Sequence, residues 1–141
     1  MAPRAVPDLA RAWGNLRYPT RDIADELRAD LASLHRGAAD DLPWVQTRLS
    51  LNRPAKPLTP QVERLALMAR AAAEDLGQSL PFGKTGGVCD GNILQDEGLP
   101  TIDTLGVRGG GLHTPNEWIE LDSLVERCQL LAVLIARLSA A

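Results

Sequence analysis

Two glycine-rich stretches hold the residues best suited to chemistry. They are GGVCDGN at 86–92 and GGGLH at 109–113. Consecutive glycines can turn bare backbone N–H groups towards an anion, so Gly86 and Gly87 are candidate anion-binding residues. A tight turn, with Asp90 capping the helix that follows, is an alternative interpretation, and the two are compatible.

His113 closes the second stretch and lies in a glycine-rich loop rather than on an apolar helix face. Histidine is a common zinc ligand, but a zinc site needs two or three further protein ligands. His35 lies at the end of a distant predicted helix, and the sequence contains no HxD, HExxH or CxxC motif. From the residues alone, a surface or hydrogen-bonding role for His113 is favoured, and no ordinary zinc site can be assembled.

Three other motifs have weaker chemical interpretations. GKT at 83–85 is similar to the end of a phosphate-binding loop, but five residues separate Gly77 from Gly83 where that loop has four. Cys89 could be a nucleophile, yet no histidine lies near it in the sequence. Arg53 could bind a carboxylate through its planar guanidinium, or it could be an exposed loop arginine.

The composition limits the class of protein. A chain of 141 residues with 45% apolar residues can form one medium domain or parts of two small ones. The net charge of -3 gives no basic field for nucleic acid, and the longest apolar run, 130–135, is too short to span a membrane. Two cysteines make no disulfide framework, and no signal peptide is evident, so a cytoplasmic location is predicted.

The first part of the chain is predicted to be half of a two-layer α+β module. Apolar residues alternate over 11–18 and over 45–51, which indicates two strands. Between them, Thr20 is a suitable helix N-cap, and Gly37 is expected to end that helix. The segment NRPAKPLTP at 52–60 holds three prolines and indicates a domain boundary or hinge.

The second part alternates helix and strand, as an α/β layer does. Its predicted elements are helices at 59–77 and 92–97 and strands at 101–105 and 118–121. Ser123 and Glu126 are expected to form a capping box for the last helix. That helix is apolar nearly all round from Cys128 to Leu138, so it is predicted to be buried within a larger body, with Cys128 as a core residue.

Four segments together resemble the C-terminal half of metallopeptidase family twenty. This family holds glutamate carboxypeptidases, acetylornithine deacetylases and succinyl-diaminopimelate desuccinylases. GGVCDGN and the segment at 98–124, which contains GGGLH, are similar to its catalytic domain. The segments RAWGNLRYPTRDIADELRADL (11–31) and NRPAKP (52–57) are similar to the second half of its lid, or dimerisation, domain.

The resemblance implies an α/β catalytic domain of the aminopeptidase type, with the lid inserted in its sequence. It divides the chain into an irregular segment at 1–10, half a lid at 11–57 and the C-terminal part of the catalytic domain at 58–141. The family's cofactor is a pair of zinc ions, which act with a glutamate base to activate a water for attack on an amide carbonyl. Homodimerisation through the lid is a further possibility.

The resemblance also implies roles for individual residues. His113 matches the C-terminal zinc ligand, and Arg53 matches a lid arginine that grips the substrate carboxylate. The loop that holds the substrate contains Gly86, Gly87 and Cys89, where the family usually has serine or threonine at the cysteine position. Asp90 and Glu117 match recurrent acidic positions with a supporting role.

No catalytic residue falls within this sequence on that resemblance, because the family's N-terminal segment supplies the other zinc ligands and the catalytic glutamate. The predicted function is therefore the C-terminal portion of a dinuclear zinc amidohydrolase or carboxypeptidase, acting on a small peptide or N-acyl amino acid. By itself the polypeptide is expected to bind zinc weakly and to hydrolyse nothing. The alternatives are a non-catalytic dimerisation or partner-binding remnant, and an anion-binding module without metal.

Overall fold

Four helices and one short pair of strands form the part of the chain that the computed structural model describes, residues 8–37 and 43–140. In chain order they are α1 (Arg21–Ser33), α2 (Pro60–Asp75), α3 (Asp90–Asp96), β1 (Gly109–Gly110), β2 (Trp118–Ile119) and α4 (Asp122–Ser139). The two strands are antiparallel, with Gly109 opposite Ile119 and Gly110 opposite Trp118. This mixture of helices and a small sheet is compatible with the α+β class.

The first two helices begin where the sequence predicts. The Thr20 hydroxyl accepts a hydrogen bond from the Ile23 amide at 3.4 Å, and the Thr59 hydroxyl accepts one from the Val62 amide at 3.3 Å. Pro60 occupies the first turn of α2, where its missing N–H costs nothing. Both caps satisfy amides that have no partner within the helix, so these boundaries follow from local sequence.

The core lies between α2 and α4. Ala72 and Ala73 of α2 are fully buried against Leu130 of α4, and Leu80 and Val133 pack around this cluster. Alanine side chains are small, so the two helices can approach closely. In the described residues, no helix is both long and apolar enough to cross a membrane.

Three of the four predicted strands are absent from the described residues. Segments 11–18 and 101–105 are extended or irregular, and segment 45–51 forms only an isolated bridge between Val45 and Arg36. The alternating apolar residues have no neighbouring strand to pair with, and the Trp13 side chain is 90% exposed. A strand needs a partner for its backbone groups, so the alternation alone does not produce one here.

The predictions for the last helix are wrong in two respects. Ser123 lies within the first turn of α4 rather than at its cap, and its hydroxyl donates to the Glu120 carbonyl at 2.6 Å and accepts from the Arg108 amide at 2.9 Å. Cys128 is also not a core residue, because it is exposed, as are Leu131, Ile135 and Leu138 on the same helix. Burial of this helix within a larger body stays a prediction.

Candidate functional site

Helix α3 fixes the proline-rich segment that carries Arg53. The side-chain amide of Asn92, which is buried, donates to the Pro54 carbonyl at 2.9 Å, and that of Gln95 donates to the Pro57 carbonyl at 2.6 Å. The Tyr18 hydroxyl donates to the Arg53 carbonyl at 2.7 Å. These bonds hold the backbone at Arg53 and on its C-terminal side.

The Arg53 guanidinium contacts the first residue of α3, which follows the loop that contains the first glycine pair. Its Nη1 atom donates to Oδ1 of Asp90 at 2.6 Å. Arg53 also lines an open cavity of about 450 Å³, together with two further arginines, Arg21 and Arg28, and one acid, Asp25, which is paired with Arg28. Two predicted site residues, 37 positions apart, are therefore brought together beside a cavity that has three arginines and one aspartate in its walls.

Asp90 does not cap α3, as the sequence interpretation had it, but is the first residue of the helix. Cys89 occupies the cap position, and its backbone N–H donates to the side-chain oxygen of Asn92 at 3.0 Å. Asp90 is consequently free of a capping role, and its carboxylate is turned to Arg53 and solvent.

Cys89 joins a small polar cluster. Its thiol donates to Oδ2 of Asp103 at 3.1 Å, and the Lys56 ammonium binds the same oxygen. The bond from Lys56 lowers the pKa of Asp103 to about 2. A nucleophilic cysteine is activated by a base such as histidine, whereas this thiol is a donor to a carboxylate. The geometry therefore favours a structural role for Cys89, in linking the loop to residues 101–103.

Gly91 is required by this packing. A Cβ atom at Gly91 would lie 3.0 Å from Cγ2 of Thr101 and 3.2 Å from the Cys89 sulfur. Both contacts are tighter than side chains normally allow. The glycine thus lets α3 approach the segment that carries Asp103.

The glycine pair at 86–87 lies in an exposed turn. The Arg17 guanidinium donates to the Gly86 carbonyl, and the Gly87 amide donates to the Thr85 hydroxyl at 3.1 Å. The Gly87 amide is thus already bonded, and a ligand anion would have to displace the hydroxyl. Because that hydroxyl belongs to a neighbouring exposed residue, the exchange would cost little.

His113 and Glu117 lie in the turn between β1 and β2, and both are exposed. His113 has a left-handed φ of 64°, which is uncommon for a residue other than glycine. Gly109 and Gly111 are needed for the close approach of the strands, since a Cβ atom at either would lie within 2.7 Å of a carbonyl oxygen of residue 118 or 116. The glycine run therefore shapes the turn that presents His113.

Arg108 fixes this turn to α4. Its guanidinium donates to Glu120 at 2.7 Å and to Glu126 at 2.5 Å, and its carbonyl accepts from the Glu120 amide at 2.8 Å. Hydrogen bonding from Arg108 lowers the pKa of Glu126. Sequence analysis gave Arg108 no role, because its partners lie 12 and 18 positions away and share no local pattern with it.

The structure does not bring His113 together with other metal ligands. Across residues 8–37 and 43–140, no group of three or more histidine, cysteine, aspartate or glutamate residues could hold one ion. A protein zinc site uses at least three such ligands. The donors of the described residues therefore do not fit a zinc site by themselves.

The sequence matches the profile of Peptidase family M20/M25/M40 over residues 19–137. This match covers most of the chain, so the chain belongs to peptidase family M20/M25/M40, as the resemblance indicated. The family consists of peptidases and related hydrolases and is generally zinc-dependent.

Two curated relatives are succinyl-diaminopimelate desuccinylases. That of Psychrobacter arcticus is 26% identical over 92% of this chain, and that of Psychrobacter sp. strain PRwf-1 is 23% identical over 92%. The uncharacterized protein YqjE of Bacillus subtilis is 27% identical over 52% of the chain and 19% of its own length. The chain spans 31% and 32% of the two desuccinylases. No solved structure gives a significant match.

Proposed function

We propose that this chain supplies the carboxylate-binding wall of a zinc-dependent amidohydrolase or carboxypeptidase. The reaction is hydrolysis of an amide or peptide bond next to a carboxylate, and the substrate is a small peptide or an N-acyl amino acid. In this proposal residues 11–57 belong to a lid or dimerisation domain and residues 58–141 to a catalytic domain. The protein acts in the cytoplasm.

The contact between Arg53 and Asp90 carries this proposal. The resemblance implies carboxylate binding for Arg53 and substrate binding for the loop that contains Gly86, Gly87 and Cys89, with Asp90 in a supporting role. The contact of Arg53 with Asp90 at 2.6 Å, beside a cavity lined by three arginines and one aspartate, supports a shared carboxylate site, because it brings the two segments within reach of one ligand. A guanidinium binds a carboxylate through parallel N–H donors, which gives strength and orientation.

His113 is the metal ligand that this chain contributes, and Glu117 supports the turn that holds it. Further zinc ligands and the catalytic glutamate would come from outside the described residues, because these hold no group of three or more donors that could bind one ion. When bound, zinc supplies Lewis-acid activation of water. The chain's own residues bind and orient the substrate carboxylate. By itself the chain binds zinc weakly and has no hydrolytic activity.

Carboxylate binding can be tested directly by NMR. The ¹⁵N-labelled 141-residue chain is titrated with glutarate in the presence of EDTA, and the Arg53→Gln variant is compared with Arg64→Gln. Arg64 is an exposed arginine of α2, so its variant controls for loss of one positive charge. Amides of Arg53 and of residues 86–90 should shift, and Arg53→Gln should weaken binding at least about tenfold. Equal binding by the two variants would contradict the proposal.

A partner-binding role is a second candidate, and the exposed face of α4 favours it. Leu131, Ile135 and Leu138 lie on this face, and large exposed apolar patches often mark interaction surfaces. The partner is a companion polypeptide or a second copy of the chain. Sedimentation velocity of the wild type and of Ile135→Glu tests the second-copy form: a concentration-dependent complex that the variant lacks supports it, and monomers in both cases contradict it.

A further inference from the structure

We propose that Asp90 is an internal competitor for the carboxylate that Arg53 binds, and that it sets the affinity of this site. The inference rests on the proposed function, because it assumes that Arg53 receives a carboxylate from the substrate. It adds a specificity-determining residue whose charge opposes ligand binding. In the structure, the Asp90 carboxylate is paired with the guanidinium that the ligand needs.

The geometry of the Arg53–Asp90 pair allows another carboxylate to replace that of Asp90. One nitrogen, Nη1 of Arg53, meets one oxygen, Oδ1 of Asp90, at 2.6 Å. A guanidinium has five N–H donors, and a carboxylate that meets it side-on uses two of them in parallel. An incoming carboxylate can therefore make a better contact than the one it displaces.

The two partners differ in how firmly they are held. The Arg53 side chain is 34% exposed, whereas that of Asp90 is 87% exposed. The backbone of Arg53 is anchored by the bond from Tyr18, and the next carbonyl by the bond from Asn92. When the pair opens, Asp90 returns to water with little loss while Arg53 stays in place. This asymmetry makes Asp90 the exchanging partner.

The size of the effect follows from the strength of exposed ion pairs. Such pairs are weak, so the open and closed forms of Arg53 differ little in population. The measured dissociation constant is the intrinsic constant divided by the fraction of molecules with Arg53 free. Removal of the Asp90 charge should therefore tighten carboxylate binding about two- to sixfold.

A different role for Asp90 predicts the opposite sign. If Asp90 served to hold the Arg53 side chain in its productive orientation, its replacement would release the guanidinium and weaken binding. The sign of the change therefore separates competition from positioning.

The test is the glutarate titration in EDTA, made with the wild-type chain, Asp90→Asn, Glu97→Gln and Arg53→Gln. Glu97 is an exposed acid next to the C-terminus of α3, so its variant matches the change in net charge without touching Arg53. Urea unfolding of each variant controls for loss of structure. Asp90→Asn should bind about two- to sixfold more tightly than the wild type, and Glu97→Gln should change binding by less than about 1.5-fold.

The outcomes separate this inference from the proposed function. If Asp90→Asn binds no more tightly than Glu97→Gln while Arg53→Gln loses binding, the competitor role is overturned and the carboxylate site stands. If no variant binds glutarate, or if Arg53→Gln binds like the wild type, both are overturned. Tighter binding by Asp90→Asn that disappears in the double variant with Arg53→Gln supports both.

Discussion

Two regions of the molecule, the α2–α4 pair and the part before Pro60 with α3, are stabilised by different interactions. Helices α2 and α4 meet through fully buried apolar residues, among them Ala72, Ala73 and Leu130. Of the described residues before Pro60, only Ala24 is buried. That part is joined to α3 by hydrogen bonds and ion pairs, such as those of Arg53 with Asp90 and of Asn92 with Pro54.

This difference matters for the proposed site. Apolar burial is strong and insensitive to salt, whereas exposed polar contacts are weak and exchange readily. The candidate carboxylate site lies at the polar junction, where a ligand group can replace a protein group at little cost. The α2–α4 pair, by contrast, provides a stable body to which the turn carrying His113 is fixed through Arg108 and Ser123.

The largest predicted effect is on the apolar side of this comparison. Leu130→Ala removes a fully buried side chain between α2 and α4 and should lower the free energy of unfolding by about 2–4 kcal/mol. The matched control is Leu131→Ala, because Leu131 is 46% exposed. Its truncation should lower the free energy of unfolding by less than about 1 kcal/mol. Urea denaturation followed by circular dichroism measures both. Equal losses would contradict the assigned core.

A smaller effect is expected at the polar junction. Asn92→Ala removes the donor to the Pro54 carbonyl and the acceptor of the Cys89 amide, which should cost about 1–2 kcal/mol locally. Hydrogen exchange measured by mass spectrometry should increase over 52–58 and over α3 but not over α2 and α4. The exposed Asn116→Ala is the control. Faster exchange in α2 and α4 as well would show that the two regions are not separable.

The pH dependence of the cluster around Asp103 should be smaller again. The Lys56 hydrogen bond lowers the pKa of Asp103 from 3.8 to about 2. Because the pKa of Asp103 is lower in the folded than in the unfolded state, the Asp103 carboxylate stabilises the fold fully above about pH 4. This stabilisation is lost as the pH falls towards 2. Asp103→Asn should therefore be less stable than the wild type at pH 7, by no more than about 1 kcal/mol since the pair is partly exposed.

The difference in stability between the wild type and Asp103→Asn should shrink as the pH falls towards 2, the pKa of Asp103 in the folded state, and should disappear below it. Urea denaturation at a series of pH values measures it, and Asp122→Asn is a control with an exposed carboxylate. A stability difference that stays constant down to pH 2 would mean that the Asp103 charge does not stabilise the fold.

The smallest predicted effect is that of salt. Raising the ionic strength from about 0.05 to 0.5 M shortens the screening length severalfold and weakens exposed pairs such as Arg21–Asp96. Hydrogen exchange over residues 20–33 should become faster, while exchange in α2 and α4 should remain unchanged. An equal response of both regions to salt would contradict the division into an apolar and a polar part.

Local sequence determined some of these features and not others. Helices α1 and α2 could be predicted because Thr20, Thr59 and Pro60 act on amides within the same turn. The predicted strands at 11–18 and 45–51 did not form, because a strand depends on a partner that the alternation does not specify. The failed capping box has a similar cause: Ser123 binds the Arg108 amide, a partner 15 positions away.

The candidate site shows the same division. Arg53 and the loop at 86–90 were identified from motifs, but no local pattern indicated that Arg53 and Asp90 are in contact across 37 positions. The link from Lys56 to Asp103 spans 47 positions and was missed for the same reason. His113 was identified as a candidate ligand, and its left-handed backbone became evident only in the folded turn.

The central claim is that this chain contributes parts of a hydrolase site, with one metal ligand, rather than a complete site. Isothermal titration calorimetry of zinc into the 141-residue chain tests it most directly, with His113→Ala as the comparison. We predict only weak binding, above the micromolar range, which His113→Ala reduces further. Stoichiometric binding of one or two zinc ions per chain with a sub-micromolar dissociation constant would contradict the claim.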